Sequence, residues 1–140
     1  MSIMLLCFTV RKPGMSFQDY KAYYEQHHSK NIYDFLGDDS PATYSRHYVE
    51  RPSDGDSSHI AAHGAPAIFL TGQPENFVFD AVTIMTWENE EAYISMTKKF
   101  TDPDVVSRFT ADEEVFLDRS KVVLMSVGRV PVTPPSGRAL

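Results

Sequence analysis

Apolar positions along the chain switch between a period of two and a period of about 3.6 residues. Residues 3–11 form a short apolar run rich in β-formers, closed by the turn signal "KPG", and predict a first strand. Ser16 then offers an N-cap with Asp19 three residues on, an arrangement that suits a capping box and the helix dipole. At about 100° per residue, Phe17, Tyr20, Tyr24, His27 and His28 fall on one face, which predicts a helix running to about Asn31. An irregular turn through "FLGDDSP" follows. Residues 42–51, "ATYSRHYVER", alternate as a strand would. Tyr44, Arg46 and Tyr48 point one way; Thr43, Ser45, His47 and Val49 point the other.

A long connection rich in Gly, Pro and Ser covers residues 52–76 and contains the apolar patch "AIFL"; its length predicts a lid or binding loop. Residues 77–88 read as strand three. Asn89 opens a helix with Ala92, Tyr93, Met96 and Phe100 on one face. Asp102–Pro103 is an N-cap followed by a proline at the first helical position, opening a second helical piece with Val105, Val106 and Phe109 inward. "ADEEVFLDRS" reads as a third short helical segment and "KVVLMSVGRV" as strand four.

The order is β-α-β-β-α-β, the ferredoxin-like pattern of the α+β class, with helices on one face of an antiparallel sheet. One domain over residues 1–130 is expected, with residues 131–140 a flexible proline-rich tail. Strands one and three carry apolar residues toward both sheet faces, Leu5 with Leu6 and Phe79 with Val82. A sheet apolar on both sides must cover its second face. A two-fold related copy would do so, which predicts a homodimer with the sheets face to face.

The net charge of −6 argues against a nucleic-acid partner or a basic membrane anchor. "IMLLCF" is too short to span a membrane and lacks the basic lead-in of a secretory signal. Cys7 is the only cysteine, so no intrachain disulfide is possible, and a reducing, cytoplasmic setting is expected. No phosphate-binding glycine loop and no GxSxG elbow is present. His59 and His63 in "HIAAH" have the spacing of a zinc pair on a helix but lie in the Gly/Pro/Ser connection without an HExxH glutamate, so no metal is expected.

Four strings, "FQDYKAYYEQHH", "SRHYVER", "FDAVTIMTW" and "ADEEVFLDRS", occur in that order. Together they resemble the EthD-like family of dimeric α+β barrel proteins, in particular its fungal members found with aromatic polyketide pathways. The resemblance runs from about Leu5 to Gly128. The family pattern places a proline soon after the helix-one histidine, where this chain has "HHSKN". The resemblance implies a cofactor-independent lyase in secondary metabolism. Its substrate would be an aromatic polyketide intermediate, which it decarboxylates at a β-keto or β-hydroxy acid or dehydrates. Alternatives on the same fold are a polyketide cyclase, a cofactor-free monooxygenase and a non-catalytic polyketide-binding protein.

His28 aligns with the family histidine, four residues after Tyr24, and is expected to be a general acid or base. His47 falls within a family string and is a second catalytic candidate, although Arg46 beside it must face the other side of the sheet. Asp80 interrupts an apolar strand, where a carboxylate is costly unless paired. It either orients a histidine or arginine in the site or sits at the solvated start of the strand. Tyr24, His27, Tyr44, Arg46 and Tyr48 are the candidate substrate-binding residues, the tyrosines by stacking on a polyphenol. Residues 112–118, "DEEVFLD", read as a solvated acidic helix face with Phe116 and Leu117 inward and no catalytic role.

Overall fold

The computed structural model describes residues 2–49, 68–73, 77–128 and 131–136. Its elements are β1 (Ile3–Thr9), α1 (Phe17–Tyr23), a π-helical turn (Tyr24–His28), α2 (Ser29–Leu36), β2 (Thr43–Tyr48), β3 (Ala81–Trp87), α3 (Glu90–Lys99), α4 (Pro103–Phe116) and β4 (Val123–Val127). The strands form one antiparallel sheet in the order β2-β3-β1-β4. The expected element order is met. Most of the expected 52–76 connection, with His59 and His63, lies outside the described residues, and the lid reading with it.

The sequence signals for helix starts act as expected. Ser16 accepts from the backbone N–H of Asp19 at 3.0 Å, Asn89 from that of Ala92 at 2.8 Å, and Asp102 from that of Asp104 at 2.9 Å, with Pro103 in the first turn. Two boundaries differ from expectation. The first helical run continues past Asn31 to Leu36, because Ile32 and Leu36 still find the core. The two pieces expected after Asp102 are one helix, since nothing between Pro103 and Phe116 breaks the backbone ladder.

The first helical run buries Tyr20, Tyr24, His28, Ile32 and Leu36, a strict four-residue repeat. In a regular α-helix each such step drifts by about 40°, so five positions would wander about 160° around the axis. The π turn places one extra residue in a single turn. Its signature is the Ser29 N–H bonding to the carbonyl of Tyr24, five residues back. The wider turn takes up the drift and keeps all five side chains against the sheet.

Cross-strand partners share a sheet face. Tyr44, Met85 and Leu5 are aligned on the inner face, under the helices; Leu6, Ile84 and Met125 are aligned on the outer face. The inner face builds two clusters. One gathers Leu5, Trp87, Ile32, Leu36, Met96 and Phe109. The other gathers Tyr20, Tyr24, Ala81, Phe116 and Leu117. Phe116 is fully buried, its ring centroid 5.8 Å from Tyr20 and 5.1 Å from Tyr24. On the outer face Phe79 lies against Phe8 at 5.2 Å, and Met125 stays exposed.

Candidate active site

Between the helices and the inner sheet face lies a cavity of about 360 Å³, within the size range of small-molecule sites. Its walls are mostly apolar and aromatic, with Leu5, Met85, Trp87, Met96 and Phe109 among them. The polar groups reaching it are few: Cys7, Thr9, Tyr24, His28, Thr83 and Glu113 among them, with no lysine or arginine among the described residues. Phe100 and Leu124 also line it and are 42% and 58% exposed, so the cavity opens between the end of α3 and β4.

His28 ends the π turn and is buried. Its Nδ1 pairs with Oδ2 of Asp112, projecting from α4. The other oxygen, Oδ1, accepts from the Tyr23 hydroxyl at 2.7 Å and from Asn31 Nδ2 at 2.8 Å. Burial opposes ionisation of Asp112, but the hydrogen bonds from His28, Tyr23 and Asn31 outweigh it and hold the carboxyl below its ordinary range. A carboxylate on Nδ1 fixes the orientation of an imidazole and leaves Nε2 as the nitrogen open to a ligand. The ring is packed against Phe116 at 4.8 Å and edge-on to Tyr24 at 5.2 Å.

Tyr24 also lines the cavity, and its hydroxyl is bonded to Thr83 Oγ1 at 2.5 Å. Behind it, Tyr20 is bonded to Thr9 Oγ1 at 2.6 Å. Tyr44 lines the wall from β2, and burial pushes its phenol well up, so it stays neutral. Cys7 lines the wall from β1; burial, with Glu113 adding to it, pushes the thiol up to about 12.

The other expected site residues lie elsewhere. Arg46 is on the inner face but is held by Glu25 of the π turn, through Nε to Oε2 at 2.6 Å and Nη2 to Oε1 at 2.9 Å. Tyr48 donates to the same carboxylate at 2.5 Å. These two residues pin the π turn to β2 and do not line the cavity. His27 is exposed, stacked beside Tyr23 at 5.0 Å. The expectation that it shares the buried arc is corrected, because the widened turn carries it outward. His47 is exposed on the outer sheet face, 3.3 Å from Ser45 Oγ, and strand alternation keeps it out of the cavity. Asp80 is buried just before β3 and accepts the backbone N–H of Arg11 at 2.8 Å. It is buried rather than solvated, which corrects that reading, and it is not the partner of His28; the arginine beside it is Arg11.

In residues 112–118, Phe116 and Leu117 are buried as expected, and the solvated reading is corrected at Asp112. Asp112 is only 6% exposed and orients His28, a role the sequence offered to Asp80. Its signal was the spacing Phe109, Asp112, Phe116, one buried face of α4. Among the described residues no group of three His, Cys, Asp or Glu side chains is placed to hold a metal, and no helix is long and apolar enough to cross a membrane.

Two solved structures share this fold. An EthD-like protein from Ralstonia eutropha is 17% identical, with a TM-score of 0.54 and 96% of each chain covered. An ethyl tert-butyl ether D (EthD) family protein from Bacillus halodurans is 13% identical, with a TM-score of 0.52 over 93% of this chain and all of the other. No curated protein matches by sequence. The EthD domain model matches residues 12–120, which span the histidine of the π turn and the aspartate that holds it, and the chain belongs to the EthD domain family.

Proposed function

We propose that this protein is a cofactor-independent lyase that removes carbon dioxide or water from a flat aromatic polyketide intermediate. The observation that carries the reading is the His28–Asp112 pair on the wall of a mostly apolar cavity. Loss of carbon dioxide from a β-keto acid leaves an enolate. The cavity aids that step by stripping water from the carboxylate, and His28 delivers a proton to the carbon. Dehydration uses the same ring in the other direction: His28 takes the α-proton and returns it to the departing hydroxyl. Tyr24, Tyr44 and Trp87 supply flat surfaces for a multi-ring substrate. Asp112 holds the imidazole through both half-reactions.

The working unit is a homodimer in this reading, with the outer sheet faces of two copies packed on each other. Leu6, Ile84 and Met125 form the apolar strip that supports it.

The test is incubation of purified, metal-free protein with a panel of aromatic polyketide acids and hydroxyketones, followed by product masses. Loss of carbon dioxide or of water from at least one substrate is expected, reduced about 100-fold or more in His28→Gln. Products that have gained oxygen would replace the lyase reading with an oxygenase, and binding without any product would leave a carrier protein.

A further inference from the structure

Asp112 has a neighbour that the scheme above leaves idle. Consecutive residues on a helix diverge by about 100°. Asp112 turns to the Nδ1 side of His28, and Glu113 faces the cavity itself. We propose that Glu113 is a second catalytic group, which donates its proton to the carbonyl oxygen of the substrate and recovers it as the reaction completes. The proposal rests on the acid–base reading of the cavity.

Enolate chemistry needs two sites of proton traffic, one at carbon and one at oxygen. His28 serves the first. Among the described residues, the cavity wall holds no lysine or arginine to serve the second. The tyrosine hydroxyls of Tyr24 and Tyr20 are occupied by Thr83 and Thr9. Tyr44, a phenol that burial keeps neutral, and Tyr93 also line the wall; Glu113 is the one carboxylic acid among its described residues. It must be protonated to act, and its surroundings favour that form. Burial raises its pKa above the ordinary carboxylate value and the charge of Asp112 adds to this. Arg119 and His28 pull the other way but do not prevail. Arg119 is 3.8 Å away, and its side chain is about half exposed, so its charge is screened. Cys7, across the cavity on β1, is itself held neutral by burial.

The steps balance for either reaction. In dehydration Nε2 of His28 removes the α-proton, the C–H electrons form the enolate, and its oxygen takes the proton of Glu113. The enol then collapses: the β C–O bond breaks, the imidazolium protonates the hydroxyl, and water leaves. The enol proton returns to Glu113. In decarboxylation the C–C bond breaks instead, the enolate oxygen takes the Glu113 proton, and the imidazolium protonates carbon. The oxygen returns its proton to Glu113, and His28 regains one from solvent.

Trp87, the one tryptophan of the chain, lines the cavity and reports occupancy by fluorescence. The probe is 1-tetralone, a neutral bicyclic ketone, with binding read by Trp87 quenching and α-hydrogen exchange in deuterium oxide read by NMR. Wild-type protein is expected to bind and to exchange. Glu113→Gln keeps a hydrogen-bond donor but cannot transfer a proton. Its binding should stay within about threefold while exchange slows about 100-fold. Wild-type affinity should fall as pH rises through the pKa of Glu113, since the donor exists only below it, and that limb should be absent in Glu113→Gln. Exchange at the wild-type rate in Glu113→Gln, with His28→Gln inactive, would overturn the role of Glu113 and leave that of His28 standing. Wild-type protein that neither binds nor exchanges, or binds without exchange, would overturn both.

Discussion

His28 gains its chemical character from one carboxylate. Asp112 has both oxygens occupied, by His28 on one side and by Tyr23 and Asn31 on the other. Asp112→Asn keeps the shape but can present an N–H to Nδ1, which selects the wrong tautomer of the ring. Turnover should fall about 100-fold or more, measured on whichever substrate the mass screen identifies. The same residue sets an acid limit on stability. A carboxyl with a lowered folded pKa stabilises the fold above its unfolded pKa and loses that contribution as pH falls through the folded value. Urea unfolding should therefore show wild-type stability declining below about pH 4, a decline that should be shallower in Asp112→Asn, where Glu25 still contributes. The proposed catalytic histidine was legible through the family resemblance, which aligns His28, four residues after Tyr24, with the family histidine. Its partner was not, because the acids of residues 112–118 read alike until helix α4 is packed and two of them turn inward.

The π turn is the element on which the site depends. A sequence reading that assumes 3.6 residues per turn places His27 and His28 on a common arc, and only the wider turn separates them. The capping signals at Ser16, Asn89 and Asp102 depend on nearest neighbours and were legible for that reason. The π turn answers to the sheet beneath it, through Glu25 and Arg46 and through the buried row from Tyr20 to Leu36. Deleting Gln26 removes the residue that the wide turn absorbs, so the turn can close to a regular one with α1 and α2 still in register. Tyr20 and Tyr24 then still share a face with Ile32 and Leu36. Each large side chain lost from the core would cost about 1.5–3 kcal/mol; none is lost here, so the deletion variant should unfold at a urea concentration near that of Gln26→Ala. The alanine variant changes an exposed residue and should stay within about 0.5 kcal/mol of wild type.

At the scale of the whole molecule, the sheet divides the chain's chemistry. Its inner face carries the cavity and its outer face an apolar strip, and the alternation that creates both was visible from the pair Leu5 with Leu6; Phe79 and Val82, expected on opposite faces, both lie beside Phe8 on the outer one. Burying the outer strip against a second copy is the proposed quaternary state. Ile84→Glu places a charge in the middle of the strip without touching the cavity, since residue 84 points away from it. Sedimentation equilibrium at micromolar concentration should give a dimer for wild type and a monomer for Ile84→Glu. A monomeric wild type would remove the proposal.

Cys7 gives the cavity a clock. It is the only thiol in the chain, it sits on the cavity wall, and its reactive thiolate form is suppressed. Alkylation by iodoacetamide therefore requires the reagent to enter through the mouth beside Leu124 and wait for a rare ionisation. The labelling rate should scale with the fraction of molecules whose cavity is empty, so a titration of rate against ligand concentration measures affinity with no optical signal and no turnover. Labelling that proceeds unchanged under saturating ligand would mean that the thiol is reached by a route other than the cavity.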